Sequence, residues 1–454
     1  MKITQISVEG LFGIFNHVIP LNTDERITII HGLNGFGKTN ILRILNGIFN
    51  SRYSALKTIP FDSFKVEFSD NTVLEVDKKV LEAKKANVEI IFNLYCENQK
   101  KESYHLKNPK IRSKDLSFPV GILDELIPEI HQIGPEEWVY GSTEEVLSLN
   151  EVIDRYEDFI PLQSKFKFRN TPPWLEELKE SITIRLVESQ RLLNVDFEKP
   201  SRFRYSSSSM LPTVSAYSKE LAGVMQGKFA EYGAISQSLD RTFPVRAVKQ
   251  PASDLTDKQL RKQLNELEKT RSGLVEIGLL DREENQDLYT QPEDINESAR
   301  SILSVYVEDI KQKLDIFDEI ANKIELLRKI INRKFAYSYK KMSFSKEHGF
   351  VFTTCYPNSS ELDSKNLSPT DLSSGEQHEL VLLYELLFKV EPNSLVLIDE
   401  PELSLHVGWQ SQFLEDLKEI TELADLDILM ATHSPDIIQD RWDDLTVELK
   451  APAK

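Results

Sequence analysis

The chain has 454 residues and a mass of 52.2 kDa, which is enough for two or three domains with full hydrophobic cores. Its two cysteines exclude a disulfide framework, and no stretch approaches the roughly 18 apolar residues of a membrane span. A net formal charge of −18 disfavours a nucleic-acid-coating protein and favours protein partners. The N-terminus lacks the apolar run of a signal peptide, so we expect a soluble, cytoplasmic protein with no membrane partner.

The first 100 residues predict β-strands around one glycine-rich loop. Apolar runs and period-two alternation predict strands at Lys2–Val8, Asn16–Leu21, Arg26–His31, Phe64–Phe68, Thr72–Val76 and Val88–Cys96. A helix is predicted over Thr39–Ile48, directly after the loop. The loop therefore lies between a strand and a helix, the context in which a phosphate-binding motif becomes credible.

The loop Gly32–Thr39 has the pattern G-x-x-x-x-G-K-T. Its glycines allow successive backbone N–H groups to face one anion, and the following helix N-terminus adds partial positive charge. The Lys38 ammonium would reach the β- and γ-phosphates, and the Thr39 hydroxyl would hold Mg²⁺. The candidate nucleotide-binding residues here are Asn34, Gly35, Gly37, Lys38, Thr39 and Asn40. The loop predicts binding of a nucleoside triphosphate with Mg²⁺.

The middle of the chain predicts an irregular insertion followed by helices. Residues 100–180 are rich in Pro, Glu and Asp, with short helical pieces at Gly121–Ile130 and Thr143–Ile160. A strand at Ile182–Val187 runs towards Gln190, and the serines 206–209 mark a linker. Helical stripes follow at Leu260–Leu274 and Leu303–Ile324. Their spacing predicts an antiparallel coiled-coil hairpin, and a compact helical bundle is the alternative.

The last third predicts a β-hairpin and then alternating helices and strands. The hairpin covers Phe335–Phe344 and Phe350–Tyr356. Later elements are predicted at Glu376–Val390, Ser394–Asp399, Gly408–Leu423 and Leu426–Ala431. This alternation indicates parallel strands, so the nucleotide core is split by the helical insertion. We predict an α/β fold with three parts: residues 1–199 and 336–454 as the two core halves and 200–335 as the helical, coiled-coil insertion.

Two carboxylates follow the apolar run Leu395–Ile398. Parallel sheets bind ligands at the carboxyl ends of their strands, where acidic residues are tolerated. Asp399 is therefore predicted to hold Mg²⁺, and Glu400 to orient and deprotonate an attacking water.

Further motifs resemble those of ABC-type ATPases. Leu-Ser-Ser-Gly-Glu-Gln at 372–377 is similar to the family's LSGGQ signature, with Ser374 replacing the first glycine. By that resemblance, Ser373 and Gly375 would contact a nucleotide held by a second subunit. His433 resembles the switch histidine near the γ-phosphate, and Gln190 the glutamine that senses Mg²⁺ and water. Ser404-Leu405-His406 occupies the position of the family's D-loop. The resemblance implies ATP, Mg²⁺ and composite sites in a head-to-tail dimer.

A helical insertion between Gln190 and the signature resembles the SMC, Rad50 and RecF branch of these ATPases. The strings at 9–15, 400–406 and 431–435 are similar to those of ATPases from bacterial anti-phage systems: the OLD enzymes, Septu, retron-associated ATPases and PARIS. Size and layout most resemble the AriA ATPase subunits of PARIS systems. OLD enzymes carry a C-terminal Toprim nuclease, and we expect none here because too few residues follow His433. Asp425-Leu426-Asp427 is interpreted as an acidic loop rather than a nuclease motif.

The resemblance implies an ATPase that forms a homodimer or a larger homo-oligomer. It would hold a separate nuclease or toxin in check until a phage-encoded protein triggers release. The alternative is a RecF- or Rad50-like repair ATPase that clamps DNA. A cluster of basic residues supports that alternative: Lys329, Arg333, Lys334, Lys340, Lys341 and Lys346.

Overall fold

The computed structural model describes residues 1–80, 88–97, 99–106, 113, 119–127, 130–140, 145–155, 171–188, 193–195, 210–249, 255–281, 297–356, 365–403 and 405–451. The chain divides into two compact units. The first unit comprises Met1–Ser189, Glu391–Leu403 and Asp425–Lys454. The second unit comprises Gln190–Val390 and Ser404–Ala424.

The strands, in chain order, are β1 (Ile3–Leu11), β2 (Phe15–Pro20), β3 (Ile27–His31), β4 (Ser63–Phe68), β5 (Thr72–Val80), β6 (Val88–Cys96), β7 (Gln99–His105), β8 (Ile130–Gly134), β9 (Glu137–Tyr140), β10 (Glu145–Ser148), β11 (Ile184–Glu188), β12 (Leu193–Val195), β13 (Met210–Pro212), β14 (Lys340–Ser345), β15 (Gly349–Thr354), β16 (Asn366–Leu367), β17 (Leu395–Asp399), β18 (Asp427–Ala431) and β19 (Thr446–Glu448). The six strands predicted in the first 100 residues are all present, with ends that differ by a few residues.

The α-helices are α1 (Lys38–Phe49), α2 (Ser54–Thr58), α3 (Leu123–Leu126), α4 (Leu149–Arg155), α5 (Pro173–Glu180), α6 (Thr213–Lys249), α7 (Asp257–Glu276), α8 (Glu297–Asp315), α9 (Asp318–Phe335), α10 (Ser374–Tyr384), α11 (Val407–Ala424), α12 (Pro435–Ile438) and α13 (Trp442–Leu445). Within the described ranges, no helix is both long enough and apolar enough to cross a membrane.

A parallel sheet in the first unit carries the carboxyl ends of its strands to one edge. Its order is β11-β17-β18-β3-β19. In register, Asp399 lies opposite Ala431, and Ala431 lies opposite Ile30. The segments that follow β3, β17 and β18 therefore meet at that edge. The split core predicted from the sequence is confirmed in this unit, because β3 comes from the start of the chain and β17 and β18 from its end.

The core of the first unit joins this sheet to a second one through α1. The second sheet has the order β2-β1-β4-β5-β6-β7. Apolar residues of α1, among them Ile41, Leu45 and Ile48, are fully buried in one cluster with side chains of both sheets. Burial of a Leu or Ile side chain stabilises the fold by about 1.5–3 kcal/mol. This packing fixes the start of α1, and with it the loop Gly32–Thr39, against the sheet.

The region 100–180 contains more regular structure than the sequence predicted. Strands β8, β9 and β10 form a three-stranded antiparallel sheet that the sequence did not predict. The short helices predicted within Gly121–Ile130 and Thr143–Ile160 are present as α3 and α4, although β10 occupies the start of the second range. The sheet surrounds Trp138, which is fully buried and donates its indole N–H to Asp124 at 2.9 Å. These strands are short and carry many polar residues, so their pairing depends on tertiary contacts that a local pattern does not reveal.

The helical insertion in the second unit is confirmed, but its helices pair differently from the prediction. Helices α7 and α8 run parallel. Their starts lie together, since Asp257 at the start of α7 pairs with Arg300 near the start of α8 at 2.6 Å. At the other end of α7, Glu276 pairs with Arg328 of α9 at 2.7 Å. The predicted antiparallel hairpin of these two stripes is therefore wrong. Apolar spacing identifies the buried face of a helix and not the direction of its partner.

The antiparallel partner of α8 is α6. Late in α6, Arg246 forms an ion pair with Asp309, and Asp240 accepts from Lys313 at 2.7 Å. Earlier in α6, Tyr232 packs on Phe317 with ring centroids 5.4 Å apart. The apolar stripe Leu303–Ile324 is continuous in sequence, yet the helix breaks between α8 and α9 beside Phe317, which is fully buried. Helix α8 therefore packs on both α6 and α7, so the insertion is not a simple two-helix hairpin.

A buried charge cluster joins three helices of the second unit. The Lys334 ammonium of α9 contacts Glu379 of α10 and lies 2.8 Å from Asp416 of α11. Arg333 also pairs with Asp416. The side chains of Lys334, Glu379 and Asp416 have no solvent exposure. Burial acts to lower the pKa of Lys334, but the two carboxylates raise it above its ordinary value. Burial raises the pKa of Glu379 despite the nearby ammonium.

The basic cluster at the end of α9 and in the hairpin is largely neutralised by ion pairs. The hairpin prediction is confirmed by β14 and β15, although α9 continues to Phe335 and the first strand starts later than predicted. Five of the six basic residues pair with carboxylates: Lys329 with Glu419, Arg333 with Asp416, Lys334 with Glu379, Lys340 with Glu376 and Lys346 with Asp281. Paired cations contribute less to phosphate binding, which weakens the basis for a DNA site here.

Candidate functional site

The loop Gly32–Thr39, predicted to bind phosphate, leaves β3 at the carboxyl edge of the parallel sheet and enters α1. Gly37 has a φ of +90°, and a Cβ there would lie 2.3 Å from the Leu11 side chain. Only glycine fits this position, since both the backbone angle and the close contact exclude a side chain. Leu33, Asn34 and Gly35 are exposed at the tip of the loop, whereas Thr39 and Asn40 are half-buried at the start of the helix.

Phe36, in the middle of the loop, is held by aromatic packing. Phe36 lies against Phe15 with ring centroids 5.1 Å apart, and its carbonyl is 3.2 Å from Nε2 of His17. Burial lowers the pKa of His17. These contacts fix one wall of the loop while its tip stays accessible, so the backbone N–H groups at the tip can meet a ligand.

Lys38 lies at the centre of the site. Its ammonium donates to the carbonyl oxygens of Gly32 at 2.9 Å and Leu33 at 3.3 Å. Burial lowers the pKa of Lys38, and the carboxylates of Glu400, Glu402 and Asp399 act in the opposite direction. The ammonium is thus surrounded by acceptors and held at the mouth of the loop.

The predicted magnesium ligands lie together. The Thr39 hydroxyl donates to Oδ1 of Asp399 at 3.0 Å. A hydroxyl and a carboxylate at this separation are the hard oxygen donors that Mg²⁺ prefers. In the described ranges, no group of three or more His, Cys, Asp and Glu side chains could hold a metal by itself. The donor set therefore fits an ion whose coordination is completed by phosphate oxygens and water.

Glu400 and His433 meet above the loop. Oε1 of Glu400 is 3.7 Å from Nε2 of His433, and Nδ1 of the same imidazole is 3.5 Å from the Lys38 ammonium. Glu400 has a φ of +44°, and its N–H donates to Ala431 at 2.9 Å. A non-glycine residue in this conformation stores about 1–3 kcal/mol of strain, a cost that proteins tend to tolerate at functional sites.

The signature segment begins α10 in the second unit. Ser373 is the N-cap, and with Glu376 it forms a reciprocal capping box: the Ser373 hydroxyl accepts from the Glu376 N–H, and the Glu376 carboxylate accepts from the Ser373 N–H at 2.8 Å. Glu376 also accepts from Ser338 at 2.7 Å and Lys340 at 2.6 Å. Burial acts to raise the pKa of Glu376, but these hydrogen bonds hold it below its ordinary value. Ser373 is exposed and Gly375 half-buried, so the helix end is accessible.

The structure brings Lys38, Thr39, Asp399, Glu400 and His433 together in the first unit. Ser373 and Gly375 belong to the second unit. Gln190 and Ser404 lie outside the described residues, so their predicted positions stay predictions. His406 accepts from the Gly408 N–H at the start of α11.

Three acidic residues have contacts that the sequence did not predict. Glu402 accepts hydrogen bonds from the segment after β18, through the Thr432 hydroxyl and the His433 N–H. In the sequence, only the closeness of Glu402 to Glu400 could have suggested that Glu402 belongs to the site, and it does not identify Thr432 or His433 as the partner. Asp425 and Asp427 both pair with Arg26, at 2.6 and 2.7 Å. This pairing agrees with their interpretation as an acidic loop.

Comparison with known protein families decides the class. Residues 1–438 match the family described as AAA ATPase domain. The chain belongs to this family. The predicted fold class, an α/β ABC-type P-loop ATPase core split by a helical insertion, is thereby confirmed. An AAA ATPase domain binds a nucleotide and hydrolyses it, in agreement with the loop geometry.

Solved structures of SMC head domains are similar to this AAA ATPase at low identity. The head domain with an extended coiled coil from Pyrococcus furiosus, bound to the C-terminal domain of ScpA, is 12% identical with a TM-score of 0.33, over 99% of this chain and 94% of that chain. The SMC head domain from Thermotoga maritima is 10% identical with a TM-score of 0.32, over 99% and 94%. No curated protein matches the chain. The family assignment therefore rests on the domain match.

Proposed function

We propose that this ATPase binds ATP with Mg²⁺ and uses it to assemble a homodimer or larger homo-oligomer that controls a separate effector. The observation that carries the ATP site is the meeting of Lys38, Glu400 and His433, with Thr39 bonded to Asp399. Mg²⁺, when bound, would neutralise charge that develops on the phosphate oxygens. The family match supports the nucleotide, and the oxygen donor pair supports the metal.

Each residue of the site has a proposed role. Backbone N–H groups of the loop Gly32–Thr39 bind the phosphates, and Lys38 places its charge on the β- and γ-phosphates. Thr39 and Asp399 hold Mg²⁺. Glu400 accepts a proton from the attacking water, and His433 donates to the γ-phosphate. Gln190 would complete the water site.

A second copy of the chain would complete each site. Ser373 and the Gly375 N–H begin an exposed helix end, which suits an anion supplied by another molecule. Leu33 and Leu403 of the first unit, which flank the ATP-site residues in sequence, are 71% and 67% exposed. Apolar side chains exposed beside a charged site favour burial against a partner. Two nucleotides bound between subunits would shift the assembly equilibrium by several kcal/mol.

The resemblance to anti-phage ATPases supports a role in defence against phage. We propose that the assembly holds a nuclease or toxin in the cytoplasm and releases it when a phage-encoded protein binds. The net charge of −18 favours protein partners of opposite charge. A DNA-clamping repair ATPase of the RecF or Rad50 kind remains the alternative. The ion pairs of the basic cluster disfavour it.

Loss of the Lys38 ammonium tests the ATP site. We expect Lys38→Ala to weaken ATP affinity by about 10- to 100-fold, because a hydrogen-bonded charge contributes about 1.5–3 kcal/mol. A titration with a fluorescent ATP analogue measures the affinity. Lys79→Ala, at an exposed position of β5, is the control and should bind as the wild type does. Unchanged affinity of Lys38→Ala would show that the nucleotide binds elsewhere.

A further inference from the structure

Glu402 contacts the segment that carries His433 with both of its carboxylate oxygens. Oε2 accepts from the Thr432 hydroxyl at 2.8 Å, and Oε1 accepts from the His433 N–H at 2.6 Å. Hydrogen bonds to an ionised acceptor are about twice as strong as those between neutral groups. Two such bonds across about thirty residues of chain tie the segment after β17 to the segment after β18.

Further hydrogen bonds hold the segment Thr432–Ser434 on either side of His433. The Thr432 N–H donates to Ile30 at 3.2 Å, and the Ser434 N–H donates to the Thr432 hydroxyl at 3.0 Å. Ser434 then caps α12, a helix of four residues. The Thr432 hydroxyl therefore also links Glu402 to the Ser434 N–H. Glu402 itself holds the backbone N–H of His433, and so fixes the backbone from which the imidazole extends.

The two glutamates after β17 thus face different partners. Glu400 faces the imidazole of His433 at 3.7 Å, where it can reach a water molecule beside the γ-phosphate. Glu402 uses both oxygens as hydrogen-bond acceptors for the backbone and hydroxyl of the neighbouring segment. Both Glu402 oxygens are therefore occupied by donors of the neighbouring segment, whereas Glu400 faces the imidazole.

We propose that Glu402 is a positioning residue that holds His433 between Lys38 and Glu400. The proposal rests on the function proposed above for that site. Without Glu402, the imidazole would leave its place between the ammonium and the carboxylate, and hydrolysis would slow while ATP binding is retained. Catalytic groups displaced by about 1 Å lose about 10²-fold in rate, so a hydrogen bond that sets their position has a large effect.

The test compares Glu402→Ala, Glu402→Gln and the same changes in a His433→Ala background. Glu402→Ala is expected to lower kcat by about 10- to 100-fold with KM for ATP changed by less than about 3-fold. Glu402→Gln should recover most of kcat, because its amide can accept from the His433 N–H and donate to the Thr432 hydroxyl. In the His433→Ala background, Glu402→Ala should lower kcat no further, since it acts through the imidazole.

A second readout does not depend on activity. Hydrogen exchange of the His433 amide should become at least about tenfold faster in Glu402→Ala, because the N–H loses its acceptor. Glu391→Ala, an exposed glutamate before β17, is the control for both readouts. Should the wild type neither bind nor hydrolyse ATP, the proposed function fails while the exchange result still tests the contact. An equal loss of kcat with and without His433, or unchanged exchange, would overturn the positioning role.

Discussion

Glu400→Gln is expected to lower the rate of ATP hydrolysis by about 10²- to 10⁴-fold, the usual contribution of a general base. The amide keeps the shape of the side chain and its contact distance to His433, but it cannot take a proton from water. Because Lys38, Thr39 and Asp399 are unchanged, ATP affinity should stay within about threefold of the wild type. A coupled phosphate-release assay and a nucleotide titration measure the two quantities separately.

The matched control for this substitution is Glu391→Gln, which makes the same chemical change at an exposed position of the first unit. Its hydrolysis rate should equal that of the wild type. Wild-type hydrolysis by Glu400→Gln would mean that another group activates the water. A large loss of affinity would instead mean that the substitution disturbs the loop or the strained backbone at Glu400.

Lys334→Met is expected to destabilise the protein by about 3–5 kcal/mol near neutral pH, the usual cost of removing one member of a buried ion pair. Methionine fills a similar volume, so the cost arises from the buried carboxylates of Glu379 and Asp416, both of which lose the Lys334 ammonium, while Arg333 still pairs with Asp416. Urea unfolding followed by tryptophan fluorescence measures the change, because Trp409 stacks on Phe335 beside the cluster. Lys341→Met, an exposed lysine of β14, should change stability by less than about 0.5 kcal/mol.

The deficit of Lys334→Met should shrink as the pH falls. Burial already raises the pKa of Glu379 in the folded protein, and loss of the Lys334 charge removes the main influence that lowers it. The folded variant then binds a proton at Glu379 that the unfolded chain, with a carboxyl pKa of about 4.3, does not bind. Stability of the variant therefore rises relative to wild type between neutral pH and that value. A deficit that is absent at pH 7, or that grows on acidification, would contradict the buried pairing.

Much of the site could be predicted because it depends on short-range patterns. The loop Gly32–Thr39 and the pair Asp399–Glu400 follow apolar strands, and parallel strands bring such ends to one edge. The structure places Lys38, Glu400 and His433 within hydrogen-bond or ion-pair range, as that reasoning requires. Their catalytic roles stay predictions until the variants above are measured.

What the sequence did not predict depends on contacts between distant segments. The role proposed for Glu402 comes from hydrogen bonds to the segment after β18, and a glutamate so far away in sequence gives no sign of such a partner. The direction of α7 relative to α8 depends on the connection between them, and helical periodicity contains no directional information. The sequence likewise did not reveal that Lys334 and Lys340, two of the basic residues that suggested DNA binding, form ion pairs with Asp416 and Glu376.

The central proposal is that two copies of the chain complete each ATP site, and subunit mixing tests it most directly. Lys38→Ala removes the ammonium from one side of the site, and Ser373→Arg blocks the signature on the other side. Each variant alone should be inactive, with a circular-dichroism spectrum and an unfolding midpoint like those of the wild type. In a one-to-one mixture, half of the dimers would be mixed and each would contain one intact site. We predict that the mixture hydrolyses ATP at about a quarter of the wild-type rate, whereas no recovery on mixing would contradict composite sites.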